Sequence, residues 1–196
     1  IIDDLGDNQR KGRRALALPG EVTLAVLPHT RWGQDLAQEA HLQQREVILH
    51  LPMANLANIP LGPDPLTPQL TRWNLDQFGH YVGINNHMGS ALTQEPRAMM
   101  WLMHELRERG LYFVDSRTTH KSVANRVAGE QAVLASKRDV FLDNDRDFSA
   151  IDRQFSKLLQ IAQTRGAAIG IGHPYKETLA YLESRLPRID AEGVRL

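Results

Sequence analysis

Ile1-Ile2-Asp3-Asp4-Leu5-Gly6 opens the chain, and its reading sets the frame for everything that follows. Two β-branched residues run into two adjacent carboxylates and then a glycine. This reads as a buried strand that stops where its acids emerge, with Gly6 letting the backbone turn away. Two ionised carboxylates on an apolar strand are costly to bury unpaired, so basic side chains or a metal ion must sit over them. The plainer alternative is a turn that happens to carry two acids. The ends of the later strands bear on that choice.

Further apolar runs follow at regular intervals: Glu21–Leu27, Val47–Met53, Tyr81–Asn86, Leu111–Asp115, Asp139–Asp143 and Ala167–Gly172. Runs that are apolar throughout are the mark of strands covered on both faces. Between them lie helical patterns over residues 8–18, which Pro19-Gly20 ends, and about 32–44. Another starts near Pro96, with Met99, Leu102, Met103 and Leu106 on one face and Gly110 past its end. Ser122 can cap a short helix. Phe148, Ile151, Phe155, Leu158, Leu159 and Ala162 line a longer one that Gly166 terminates, and Leu179, Leu182 and Leu186 mark the last. Residues 58–65, rich in Pro and Gly, read as a surface loop, and Gly193–Leu196 as the start of an eighth strand. Strands alternating with amphipathic helices imply a parallel sheet in α/β architecture. No GxGxxG or Walker sequence is present, which lowers an open nucleotide-binding sheet and favours a barrel of seven or eight parallel strands.

The bulk composition narrows the classes. A chain of 196 residues suits one domain with a real core, expected here to span 1–196. The 23 Lys+Arg balance 23 Asp+Glu, so no basic footprint for nucleic acid exists, and no apolar run is long enough to span a membrane. Without cysteine, any metal must be held by His, Asp and Glu. The chain begins inside a strand pattern without an initiator Met or signal peptide, which reads as a trimmed N-terminus.

In parallel α/β folds the active site forms beyond the carboxyl ends of the strands. Those ends carry Asp3-Asp4, His29, His50, His87, Asp115, Asp143 and His173, whereas His41 and His104 fall in helical stretches. His29 follows Pro28 at a turn and suits a surface residue. His50 interrupts an apolar strand, either as a ligand or as a buried neutral imidazole. His87 lies in the polar cluster Asn85-Asn86-His87-Met88-Gly89-Ser90, which supplies a ligand together with amides to fix its tautomer. His173 follows a strand whose glycines allow close approach. Asp143-Asn144-Asp145-Arg146-Asp147 resembles a calcium loop, but Phe148 and Gln154 occupy the positions that need Gly and Glu, so it reads as a strand end and a helix cap. Asp115-Ser116-Arg117 places an acid and a guanidinium together, as an ion pair or as an orienting or substrate-binding element. A His/His/Asp set without Cys suits zinc. Three protein ligands leave a place for water, a second carboxylate can take that water's proton, and a further His can protonate the leaving group.

These residues resemble the divergent polysaccharide deacetylases, a branch of the metal-dependent polysaccharide deacetylase superfamily. The resemblance rests on Ile-Asp-Asp-Leu-Gly at 2–6, His-Leu-Pro-Met at 50–53 and Gly-Ile-Asn-Asn-His-Met-Gly-Ser at 83–90. Phe-Val-Asp-Ser-Arg-Thr-Thr at 113–119, Phe-Leu-Asp-Asn-Asp at 141–145 and Ile-Gly-Ile-Gly-His-Pro at 169–174 continue it in order along nearly the whole chain. It implies a distorted (β/α) barrel, an Asp3 base, zinc or another divalent ion on Asp4, His87 and His50, and His173 assisting the leaving group. Asn86, Asp115, Arg117 and Asp143 would orient these groups or bind substrate. It also implies an extracytoplasmic, periplasmic setting and a carbohydrate substrate. The chain departs from the wider pattern at Ala91, where the superfamily carries a second metal His, and at Ala54, where an acid is common. The expected function is therefore metal-dependent removal of acetyl groups from a poly- or oligosaccharide. The alternative is a carbohydrate-binding or cell-envelope partner protein on a barrel that has lost its chemistry, with Trp32 and Trp73 stacking on sugars.

Overall fold

A computed structural model describes residues 1–57 and 68–196, so the loop expected at 58–65 lies outside the described residues. The strands are β1 (Ile2–Leu5), β2 (Leu24–Val26), β3 (Val47–Met53), β4 (Gly83–Met88), β5 (Tyr112–Asp115), β6 (Ala135–Lys137), β7 (Val140–Phe141) and β8 (Gly170–Ile171). The helices are α1 (Gln9–Leu16), α2 (Gly33–Leu42), α3 (Pro68–Leu75), α4 (Pro96–Arg109), α5 (Ala124–Glu130), α6 (Phe148–Arg165) and α7 (Lys176–Arg185). Every described strand pairing is parallel, as the apolar runs and helical connections require.

β1 to β6 form one sheet in chain order, and β7 pairs with β8. The two sheets are one curved wall. The segment 135–141 pairs first with β5 and then, as β7, with β8, while Arg138 N–H donates to Asp115 O at 2.9 Å and Asp139 N–H to Ile169 O at 2.8 Å. β8 meets β1 through a bridge between Ile2 and Gly172, where Asp3 N–H donates to Gly172 O at 2.8 Å and Gly172 N–H to Ile1 O at 3.1 Å. β6 and β7 thus act as one bent stave, and the wall is a distorted ring of seven staves.

Local chemistry accounts for the helix ends. Asn8 Oδ1 caps α1 by accepting from Lys11 N–H, and Asp147 caps α6 by accepting from Ser149 and Ala150 N–H. α4 starts at Pro96 and ends at Gly110, whose φ of 67° closes it in the left-handed region. One continuous apolar core joins the strands to the helices, with Leu49, Ile84, Met103 and Phe113 at 0% exposure.

Three elements differ from the expected pattern. The fourth strand runs two residues later, to Met88, so His87 lies within a strand. All three residues of β6 are exposed and one is Lys137, so it lacks the apolar run that would announce a strand. Residues 193–196 form no eighth strand. A 3-10 helix over Leu186–Glu192 precedes them, and Gly193, at φ 73°, ends it.

Candidate metal centre

β1, β3 and β4 each deliver one side chain to a common point. β3 is buried along its whole length and His50 is its one ionisable residue, so the imidazole must be satisfied within the protein. Its Nδ1 pairs with Asn85 Oδ1 at 2.7 Å, and the Asn85 amide donates to Asp3 Oδ1 at 2.8 Å. This chain of bonds assigns the proton of His50 to Nδ1 and leaves the Nε2 lone pair facing inward. There it meets His87 Nδ1 at 3.0 Å and Asp4 Oδ1 at 3.2 Å, and His87 Nδ1 lies 2.9 Å from Asp4 Oδ1.

The three atoms form a near-equilateral triangle. Metal bonds of 2.0–2.1 Å in a tetrahedral zinc site imply ligand-to-ligand spacings of about 3.3 Å, so the set suits a small divalent ion. Asp4, His50 and His87 are together the one such group among the described residues. Asp4 Oδ1 is buried without a well-aligned hydrogen bond although two ring nitrogens face it, which suits a ligand atom better than an ion pair. Burial alone would raise the Asp4 carboxyl. The two imidazoles more than reverse this and hold it well below the usual carboxylate range. For His50, burial opposes the charged form, but Asp3 and Asp4 outweigh it and raise its pKa.

Asp3 borders this triangle. It is 2% exposed, and its Oδ2 lies 3.6 Å from His50 Nε2. His173 also lies close by, with Nε2 4.0 Å from Asp4 Oδ2. Asp143 fixes it from behind: Oδ1 pairs with His173 Nδ1 at 2.8 Å, and Oδ2 accepts from His173 N–H at 2.6 Å and Thr178 Oγ1 at 2.7 Å. Burial disfavours the His173 cation, but the Asp143 hydrogen bond and the charges of Asp143, Asp4 and Asp3 raise its pKa.

The remaining expected residues are placed differently. Asn86 turns away from the centre: its amide donates to Met88 O at 2.6 Å and its Oδ1 accepts from Ser116 N–H at 2.8 Å, tying β4 to β5. Its neighbour Asn85, two residues before His87 and so on the same face of the strand, does the orienting. Asp115 is 1% exposed, and its Oδ1 accepts from the backbone N–H of Arg117 at 2.8 Å; no Asp115–Arg117 side-chain ion pair forms. The guanidinium whose charge bears on Asp115 and Asp3 belongs to Arg138, which donates to Ser116 O at 2.7 Å and Arg117 O at 3.0 Å. Nothing in the sequence around Arg138 announces it, because its position depends on the bend between β6 and β7. Asp4, Met88 and Arg117 all hold φ near +55°, a conformation non-glycine residues rarely adopt, in or next to the strands that build the site.

Ala91 offers no ligand atom, and its N–H donates to Ala54 O. The second imidazole beside His87 is instead His50, from the neighbouring strand. His29 lies apart, exposed and stacked on Trp73 at 3.7 Å, with Nε2 pairing with Asn74 Oδ1 at 3.0 Å. Trp73 is 46% exposed, while Trp32 is half-buried with Arg31 over its ring.

The family model for divergent polysaccharide deacetylases matches residues 1–196. An uncharacterized protein of Haemophilus influenzae is 34% identical over 194 residues, covering 95% of this chain and 69% of that protein. The uncharacterized protein YibQ of Escherichia coli is 36% identical over 191 residues, covering 93% of this chain, which in turn spans 60% of YibQ. The crystal structure of the uncharacterized protein ATU2773 from Agrobacterium tumefaciens superposes with a TM-score of 0.90 at 24% identity, over 99% of this chain and 83% of that one, and shares its fold. The full-length match of the family model, together with these relatives, shows that the chain belongs to the divergent polysaccharide deacetylase family.

Proposed function

We propose that the protein is a metal-dependent deacetylase acting on an acetylated poly- or oligosaccharide outside the cytoplasm. The observation that carries this reading is the convergence of Asp4 Oδ1, His50 Nε2 and His87 Nδ1 within about 3 Å of one another, with Asp3 and His173 close beside them. These three residues would hold zinc or a similar divalent ion. When bound, the ion supplies a Lewis acid that polarises an acyl carbonyl and acidifies water. Asp3, buried and held by the Asn85 amide, accepts the proton of the attacking water. His173, its Nδ1 held by Asp143, presents Nε2 as the acid that protonates the departing sugar nitrogen or oxygen. Arg138 lends positive charge beneath Asp3 and Asp115. The extracytoplasmic setting rests on the family's polysaccharide substrates, and no helix among the described residues is long and apolar enough to cross a membrane.

The deciding experiment is metal analysis of the protein purified without added metal, beside His87→Ala. One ion per chain that disappears in the variant is the expected result. No ion in either protein, even after zinc is added, would defeat the hydrolase reading and promote the carbohydrate-binding alternative, for which Ala91 speaks.

A second expectation concerns the acid. Asp143 helps keep His173 protonated, so Asp143→Asn should move the alkaline limb of the pH–rate profile to lower pH, besides lowering the rate by about tenfold or more. An unshifted limb would remove His173 from the role of acid.

A further inference from the structure

We infer that the sugar chain acted on here is anionic: a groove leading away from the metal centre holds a carboxylate or phosphate substituent of the glycan. The inference rests on the deacetylase reading above. Two cavities, of about 200 and 240 Å³, adjoin one another and share Asn8, Lys11 and Pro174. The inner one is walled by Asp4 and His173 and therefore opens directly onto the proposed chemistry. The outer one is walled by Arg10, Lys11, Arg14 and Lys176 and by no acid.

The charges in this groove are not cancelled within the protein. Glu183 takes up Arg14 through two hydrogen bonds of 2.7 and 2.9 Å. Arg10, Lys11 and Lys176 form no ion pair among the described residues, and all three are exposed. In a chain whose formal net charge is zero, three unpaired cations around one groove create a local positive field. The backbone adds to it. Lys11 sits in the first turn of α1, and α7 begins at Lys176 without a side-chain cap, so the positive ends of two helices meet at the same groove. The acids nearby are Asp4 and Asp7, which line the inner cavity, and Glu177, in the first turn of α7 but outside the outer cavity's wall, so the positive field belongs to the outer cavity. Tyr175 forms part of the inner wall with the Arg146 guanidinium 3.7 Å over its ring, an aromatic surface on which a sugar ring can lie. A neutral glycan leaves those three cations without partners; a chain with a negative group one or two sugars from the reacting acetyl group meets them.

The test is calorimetric titration with two probes, neutral hexa-N-acetylchitohexaose and a hyaluronan hexasaccharide, whose alternate sugars carry carboxylates. It is run at 50 and 500 mM salt, with and without chelator. The hyaluronan hexasaccharide should bind about tenfold or more tightly than hexa-N-acetylchitohexaose at 50 mM salt, and the advantage should fade at 500 mM. It should also vanish in Lys11→Gln/Lys176→Gln, two exposed substitutions outside the metal set and the core. Equal affinities, no binding of either probe, or an advantage that survives the double variant would overturn the inference. Inorganic phosphate binding as tightly as the charged hexasaccharide would also overturn it, by showing a free-anion site instead of a glycan subsite. Because the preference is read in metal-free protein as well, its failure leaves the metal analysis and acetate release unaffected, and the failure of those leaves this result readable.

Discussion

Asp3→Asn is expected to lower acetate release by about 10²–10⁴-fold while leaving metal content and fold unchanged. The substitution is nearly isosteric, and an asparagine oxygen can still accept the Asn85 amide that Asp3 Oδ1 accepts at 2.8 Å. What disappears is the proposed proton acceptor beside the candidate ligand triangle, on a residue 2% exposed that bulk water cannot readily replace. A purely structural Asp3 makes a different forecast: a loss of stability without a loss of turnover per folded molecule. Metal content by mass spectrometry, a thermal melt and acetate release on one acetylated probe separate the two. Turnover near the unsubstituted level in a metal-loaded Asp3→Asn protein would remove Asp3 from the role of base.

Chelation is expected to lower the melting temperature by roughly 8–16 °C, and by little in His50→Ala. A ligand present at a thousand times its Kd stabilises the folded state by about 4.1 kcal/mol, and in a chain of this size each kcal/mol moves Tm by about 2–4 °C. The physical source lies in β3. His50 is 2% exposed and faces Asp3 and Asp4, so removal of the ion leaves two carboxylates and two imidazoles crowded at contact distance. His50→Ala removes one ligand and strands Asn85 Oδ1, which should weaken metal binding by more than the 10–100-fold typical of outer-shell losses. Ligand nitrogens must be unprotonated to bind, so the melting gain should shrink as the solution is acidified. A melting temperature indifferent to chelator would show that no ion occupies the triangle.

The parallel α/β architecture was legible because each strand of its core is an apolar run with a helix after it, and His50 was legible because an imidazole breaks such a run. His87 and His173 stood out by ending runs of their own. The side chain that bonds to His50 and Asp3 is Asn85, and Asn86 bonds elsewhere. Asn85 and His87 share a face by the two-residue period of a strand, and Asn86 points the other way, but placing the strand two residues early hid that alternation. The adjacency of Asp115 and Arg117 suggested an ion pair that the left-handed turn at Arg117 replaces with a backbone hydrogen bond. Arg138 escaped notice because its place comes from a stave that changes partners midway, which no local pattern of polarity encodes.

That ring has one narrow joint, where the first stave meets the last through the bridge at Ile2 and Gly172. β1 is four residues long and carries both acids of the centre. An ion on Asp4, His50 and His87 would clasp that short stave to β3 and β4, so the element that carries the proposed base and ligand would be held in place by the proposed ion. Ordering of β1 against β3 and β4 and assembly of the proposed site would then be a single event, and a chain that lost its ion would loosen first at that strand.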